Sequence, residues 1–140
     1  MKNSIFWLVT GLALAVILSA KTAIAETATT EMVKTELYMS NDTATGYIIT
    51  ERQFEEFMDT VVAKYFPKGF TIYEAHGQAQ EPDKSITRQA TWVLVMIHEK
   101  TSGNDNAVEA VINEFRAQFE NPEVMRTTSP IIETQFYAHK

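Results

Sequence analysis

Phe54, Phe57, Met58, Val61, Val62, Tyr65 and Phe66 recur at i, i+3, i+4, i+7, i+8, i+11 and i+12, which draws one apolar stripe down a helix. On both sides of that helix the apolar residues recur every second position instead. This change of period, made more than once along the chain, restricts the folds open to it. Thr50 with Gln53 has the form of a capping box, and Pro67-Lys68-Gly69 cannot continue a helix, so the stripe predicts a helix over about 51 to 66. Aromatic residues at helical spacing are core more often than a cofactor pocket, and this stripe is read as core.

Before the helix, Val33, Thr35, Leu37 and Met39 alternate with Lys34, Glu36, Tyr38 and Ser40, the period of a half-buried strand starting near Met32. After it, "FTIYEAHGQAQ" and "SITRQATWVLVMIHE" flank Glu81-Pro82-Asp83-Lys84, a good type I turn, and predict a long antiparallel hairpin. "TWVLVMI" is nearly all apolar and fits a central strand. The polar break "KTSGNDN" precedes a second helix with Val108, Val111, Ile112, Phe115 and Phe119 on one face, ended by Asn121-Pro122. "SPIIETQFY" then alternates as a last strand.

Strand, helix, strand, strand, helix, strand is the split βαβ order. The expected fold is therefore α+β and ferredoxin-like (βαββαβ), a four-stranded antiparallel sheet with both helices on one face, because each crossover is right-handed. The other face receives no cover from the chain itself.

The first 25 residues have the form of an export signal: Lys2, an uncharged apolar run from Ile5 to Ala20, Lys21, and the small-residue site Ala23-Ile24-Ala25. The run is about as short as the minimum of roughly 17 residues that a membrane span requires, and an A-x-A site follows it, so cleavage after Ala25 is expected rather than anchoring. That divides the chain into a signal (1–25), a polar flexible lead-in (26–31) and one domain (32–138), with 115 residues after cleavage. The expected location is periplasmic or secreted, with no membrane span left. There is no cysteine, hence neither a disulfide nor a lipid-modified thiol. Beyond the signal, 10 Lys and Arg stand against 18 Asp and Glu, a net charge near −8, which repels nucleic acid and anionic lipid.

Residues two apart in a strand share a face, so strand parity nominates the occupants of the uncovered side. The more polar set of the first strand is Lys34, Glu36 and Tyr38. Placing Glu74, His76 and Gln78, then Trp92, Leu94, Met96 and His98, then Ile131, Glu133, Gln135 and Tyr137 beside them gives one mixed face. Its candidate polar residues are Glu36, Tyr38, Glu74, His76, Gln78 and His98. The third strand has no distinct polar parity, which leaves its orientation open. The plainer account of the carboxylates is solvated charge on a wet sheet face.

His76 and His98 with Glu74 have the identities of a zinc or iron ligand set, but no tight ligand motif is present and His139 adjoins the chain end. No metal and no cofactor is expected. Nucleophile elbows and glycine-rich phosphate loops are absent. Acid–base chemistry by Glu36 or Glu74 with His76 is compatible with the residue types, although no spacing selects it.

"TELYMS", "FPKGFTIYEAHGQ", "VLVMIHE" and "RTTSPIIETQF" together resemble the bacterial domain-of-unknown-function family 3574 over nearly all the chain beyond the signal. Thr35-Glu36-Leu37-Tyr38 fit the family's T-E-L-Y start, with Met39-Ser40 in place of F-G. Gly77-Gln78 fit its G-Q-W, with Ala79 where tryptophan is usual, and His76 stands where a basic residue such as arginine is expected. His98 fits the end of its V-L-V strand. The resemblance implies export and a shared fold, brings no reaction with it, and adds interest to Glu36, Tyr38, Gln78 and His98.

The expected function is that of an exported binding or structural module of the envelope, self-associating as a homodimer through its sheet face. An envelope protein or an unknown small ligand is a further possible partner. The alternative is a small oxygenase- or isomerase-like enzyme with a polar pocket at the sheet, an analogy of fold only.

Overall fold

A computed structural model describes residues 30–135 and 137. The expected signal, the lead-in up to residue 29, and His139 lie outside the described residues. Strand β1 (Met32–Ser40) leads through a loop into α1 (Glu51–Phe57), which continues through a π-helical turn (Met58–Val62) into α2 (Ala63–Tyr65), so the first helix is a single rod of three parts. The hairpin β2 (Thr71–Gln80) and β3 (Ile86–Glu99) follows, then α3 (Ser102–Gln118) and β4 (Val124–Ile131). The sheet is antiparallel in the order β2-β3-β1-β4. This is the ferredoxin-like α+β fold.

Local chemistry places the ends of the helices. Thr50 accepts from the Gln53 N–H while the Gln53 side chain accepts from the Thr50 N–H, the reciprocal box that the sequence predicts. The second helix begins inside the polar break rather than after it. Thr101 caps it by accepting from the Asn104 N–H at 3.2 Å, so "SGND" forms the first turn.

One core holds the two layers together. Leu37 and Met39 of β1 and Trp92, Leu94 and Met96 of β3 pack under Phe54, Phe57, Met58 and Val62 of the first helix and Val108, Val111 and Phe115 of α3. Phe54 stacks flat on Trp92 with ring centroids 4.2 Å apart, and Phe57 meets Phe115 edge-on at 5.3 Å.

Three strand assignments are corrected by the register. Trp92, Leu94, Met96 and His98 lie under the helices, and Val93, Val95 and Ile97 take the open face. The helix side needs the bulkier set, since Trp92 is the platform on which Phe54 stacks. Glu74 lies opposite Trp92, His76 opposite Ala90 and Gln78 opposite Arg88, so these three also lie on the helix side, towards the end that the helices leave bare. The last strand is Val124–Ile131 rather than 129–137, because its pairing runs from Met39↔Val124 to Met32↔Ile131 and β1 extends no further. Glu133, Gln135 and Tyr137 therefore follow the sheet instead of joining it.

Candidate functional site

The face without helices is built from alternate residues of four strands. Lys34, Glu36 and Tyr38 come from β1, Val93, Val95 and Ile97 from β3, Tyr73 from β2, and Met125 and Thr127 from β4. Tyr38 and Tyr73 flank Val93 on either side, which is why Val93 is fully buried on a face no helix covers. Tyr73, Ile97 and Met125 remain 45%, 51% and 56% exposed. The charges in the middle of the face are Lys34 and Glu36, which pair at 3.2 Å, and Thr127 reaches Glu36 at 3.5 Å. Glu99 lies at one end, opposite Met32.

Only Glu36 and Tyr38 of the six candidate polar residues share this face. Tyr38 borders an open groove of about 610 Å³ at the end of the sheet, with Ser40, Gln89, Thr91, Arg116 and Glu123 around it. Ser40 is already occupied there: its Oγ donates to the Asp42 carbonyl at 2.8 Å and accepts from Asp42 N–H and Gln89 Nε2. Glu74 and His76 border a dent of about 90 Å³ beside Trp92 on the other side of the sheet. Gln78 accepts from Arg88 Nε at 3.1 Å on the exposed hairpin.

His98 is 8% exposed and separates two cavities of about 340 Å³ each. Its Nδ1 is 2.9 Å from the Glu99 carbonyl oxygen, which can only accept, so Nδ1 carries the hydrogen. In the neutral ring Nε2 then accepts from Thr35 Oγ1 at 3.0 Å, and Thr35 Oγ1 accepts from Thr128 Oγ1 at 3.2 Å. This short relay fixes the tautomer and satisfies every polar atom in it. Its geometry is that of a histidine holding β1, β3 and β4 in register.

The layout bears directly on chemistry. His98 lies eight residues along β3 from Ala90, the partner of His76, which is about 26 Å at 3.3 Å per residue. The two imidazoles cannot share an ion. Among the described residues no group of three or more His, Asp or Glu side chains converges to hold a metal. A pocket gathering Glu36, Tyr38 and either histidine, as an enzyme on these residues would need, is not formed. The residues that parity missed are Tyr73, Val95, Ile97 and Met125; for Val95 and Ile97 the signal was the split of β3 into a bulky set and a β-branched set, and Tyr73 and Met125 follow from pairing with Val93 and Tyr38.

Charge elsewhere serves the scaffold. Arg126 of β4 donates to Glu109 at 2.7 Å and to Asp105, both on α3. Partial burial works against its charge, but the hydrogen bonds and charges of Asp105 and Glu109 outweigh it and hold the guanidinium above its ordinary pKa.

The model of a family described as "Protein of unknown function (DUF3574)" matches residues 34–136. The chain belongs to this family. The DUF3574 match runs from β1 past the end of β4 and so takes in every helix of the fold. No curated protein matches the sequence. Among solved structures, a phage SAM lyase in complex with S-methyl-5′-thioadenosine is similar, with a TM-score of 0.52 and 11% identity over 71% of this chain and 81% of that one. The same phage enzyme in its apo state gives 0.53 and 10% over the same shares. A de novo designed protein with a ferredoxin fold, LFR1 1, has a TM-score of 0.35 and 16% identity over 78% of this chain and 94% of that one. At such identities the likeness is one of fold. Among the described residues no helix is long and apolar enough to cross a membrane.

Proposed function

We propose that this DUF3574 protein is an exported binding or structural module that self-associates through the helix-free face of its sheet. The observation that carries the reading is the apolar strip of exposed Tyr73, Ile97 and Met125 with half-buried Val95 around a single Lys34–Glu36 pair. Exposed, contiguous apolar surface of this kind is a mark of an interaction site.

A second copy fits that strip for two reasons. Lys34 and Glu36 are two residues apart on a central strand, so a two-fold axis passing between them sets each Lys34 over the other copy's Glu36. Four strands about 4.8 Å apart and eight residues long span about 19 by 26 Å, or ~500 Å² in projection. That is of the order of the ~800 Å² of accessible surface per partner in a standard interface. Export is supported by the signal pattern of residues 1–25.

The test is native mass spectrometry on the chain purified from its own export compartment. A self-associated species whose chains begin at Glu26 is expected, and Ile97→Glu, at an exposed position, should halve the mass of any face-paired species. An Ile97→Glu protein with the mass distribution of wild type would end the face reading. A chain that retains residues 1–25 there would end the cleavage reading, and absence of the chain from that compartment would end the export reading. Trp92→Glu would be uninformative here, since Trp92 lies in the core.

A further inference from the structure

The sheet has two edges, and they are not alike. β4 carries Pro130, which has no N–H to offer a neighbour, a usual device for blunting an edge. β2 has none. Thr71–Gln80 runs ten residues without proline, is exposed at every position but the half-buried Ala75, and has Glu74 as its one acid and no lysine or arginine. Among the described residues nothing lies along it.

Gly77 stands in the middle of that edge without a reason in its own chain. Its backbone is not in the left-handed region that demands glycine, and a Cβ there would meet Gln89 O and Thr91 Oγ1 at 3.8 Å, ordinary contact. Glycine inside a strand weakens it and often marks a bulge, a tight bend or the close approach of another backbone or ligand; β2 pairs with β3 without a bulge from Thr71 to Gln80, which leaves the close approach.

We infer that β2 pairs antiparallel with β2 of a second copy, with Ala75 on the two-fold axis. In that register Glu74 lies opposite the second copy's His76, and each carboxylate meets an imidazole that can donate to it. On the opposite face Tyr73 lies opposite the second copy's Gly77, where an aromatic ring covers the gap that a glycine leaves. Sliding the register by two residues one way sets Glu74 against its own copy, and the other way sets His76 against its own. Slides of one residue turn the two open faces to opposite sides. The self-complementary register is therefore singled out, and it yields one continuous eight-stranded sheet with all helices on one side. It stands on β2 alone and does not depend on the face contact.

The experiment measures self-association by sedimentation over a concentration series, in the Ile97→Glu background so that only the edge is read. A concentration-dependent dimer is expected to persist there. The Glu74–His76 pair occurs twice per dimer, so His76→Glu should weaken association by about tenfold or more. Adding Glu74→His to it exchanges the two partners and should restore association. Gly77→Thr should weaken association by a similar factor while leaving the thermal midpoint of the monomer unchanged or higher. A strict monomer in the Ile97→Glu background, a charge exchange that fails to restore, or a Gly77→Thr dimer as tight as its parent would each overturn the edge pairing. Loss of the wild-type dimer in Gly77→Thr but not in Ile97→Glu would remove the face contact and leave the edge.

Discussion

Thr35 Oγ1 is a buried hydroxyl shared between His98 Nε2 and Thr128 Oγ1, and it is the middle link of the relay that joins three strands. Thr35→Val keeps the volume and removes the link, so His98 Nε2 is left without its donor in a site water reaches poorly. We expect a loss of about 1–3 kcal/mol, the usual cost of orphaning a buried polar atom, read as a lower urea midpoint at an unchanged slope. At the tip of the hairpin the logic is electrostatic. Ser85 donates to Asp83 Oδ1 from its side chain at 2.6 Å and from its backbone at 2.9 Å, which holds the Asp83 carboxyl below its ordinary pKa. A pKa lowered by folding means that the contribution is present above the unfolded value, about 3.9, and lost as pH falls through the folded one. In Ser85→Ala the Asp83 titration observed by NMR should move back up.

At the scale of elements, legibility followed amphipathic contrast. The first helix could be read because its stripe is unbroken and its cap is local, needing only Thr50 and Gln53. β4 could not, because its two faces do not contrast: Met125, Thr127 and Ser129 look to the open side, while Arg126 looks to α3 and Thr128 to Thr35. Its place is fixed by pairing with β1 and by those contacts, none of which is local in sequence. Arg126→Met should therefore loosen β4 from α3 at a cost of about 0.5–1 kcal/mol, the scale of partly exposed ion pairs, with faster amide exchange along 124–131 than elsewhere. β3 failed differently. Residues 92–97 are all apolar and show no polar parity to read, and the half that faces in is the bulkier one, whose Trp92 carries the stack of Phe54. Trp92→Ala removes that platform and should cost about 3–5 kcal/mol in unfolding free energy, whereas Val95→Ala, on the open face, should cost much less.

For the whole molecule, parity placed Glu36 and Tyr38 together correctly but gathered four others with them, because a face shared by several strands depends on the mutual orientation of strands far apart in sequence. The structure instead separates an apolar face from a polar edge, and these make different demands on a second copy. The face dyad lies parallel to the sheet; the edge dyad runs through Ala75 at right angles to it. The two axes do not meet, since the face dyad crosses the sheet at the level of Thr35 and Met96 and the edge dyad five residues along, at Ala75 and Thr91, so together the contacts build an open array of eight-stranded sheets stacked face to face rather than a closed set of four. Wild type at high concentration should then pass beyond a dimer into a larger array, while Ile97→Glu stops at the edge-paired dimer, Gly77→Thr favours the face-paired one, and the double variant dissociates about tenfold more readily than Ile97→Glu alone. The masses follow that ladder only if both contacts exist. A wild-type ceiling of two copies, with one of the two single variants already monomeric, names the one contact that is real. Should both single variants retain the wild-type dimer, association belongs to neither surface, and the apolar strip on the open face must serve a partner other than this chain.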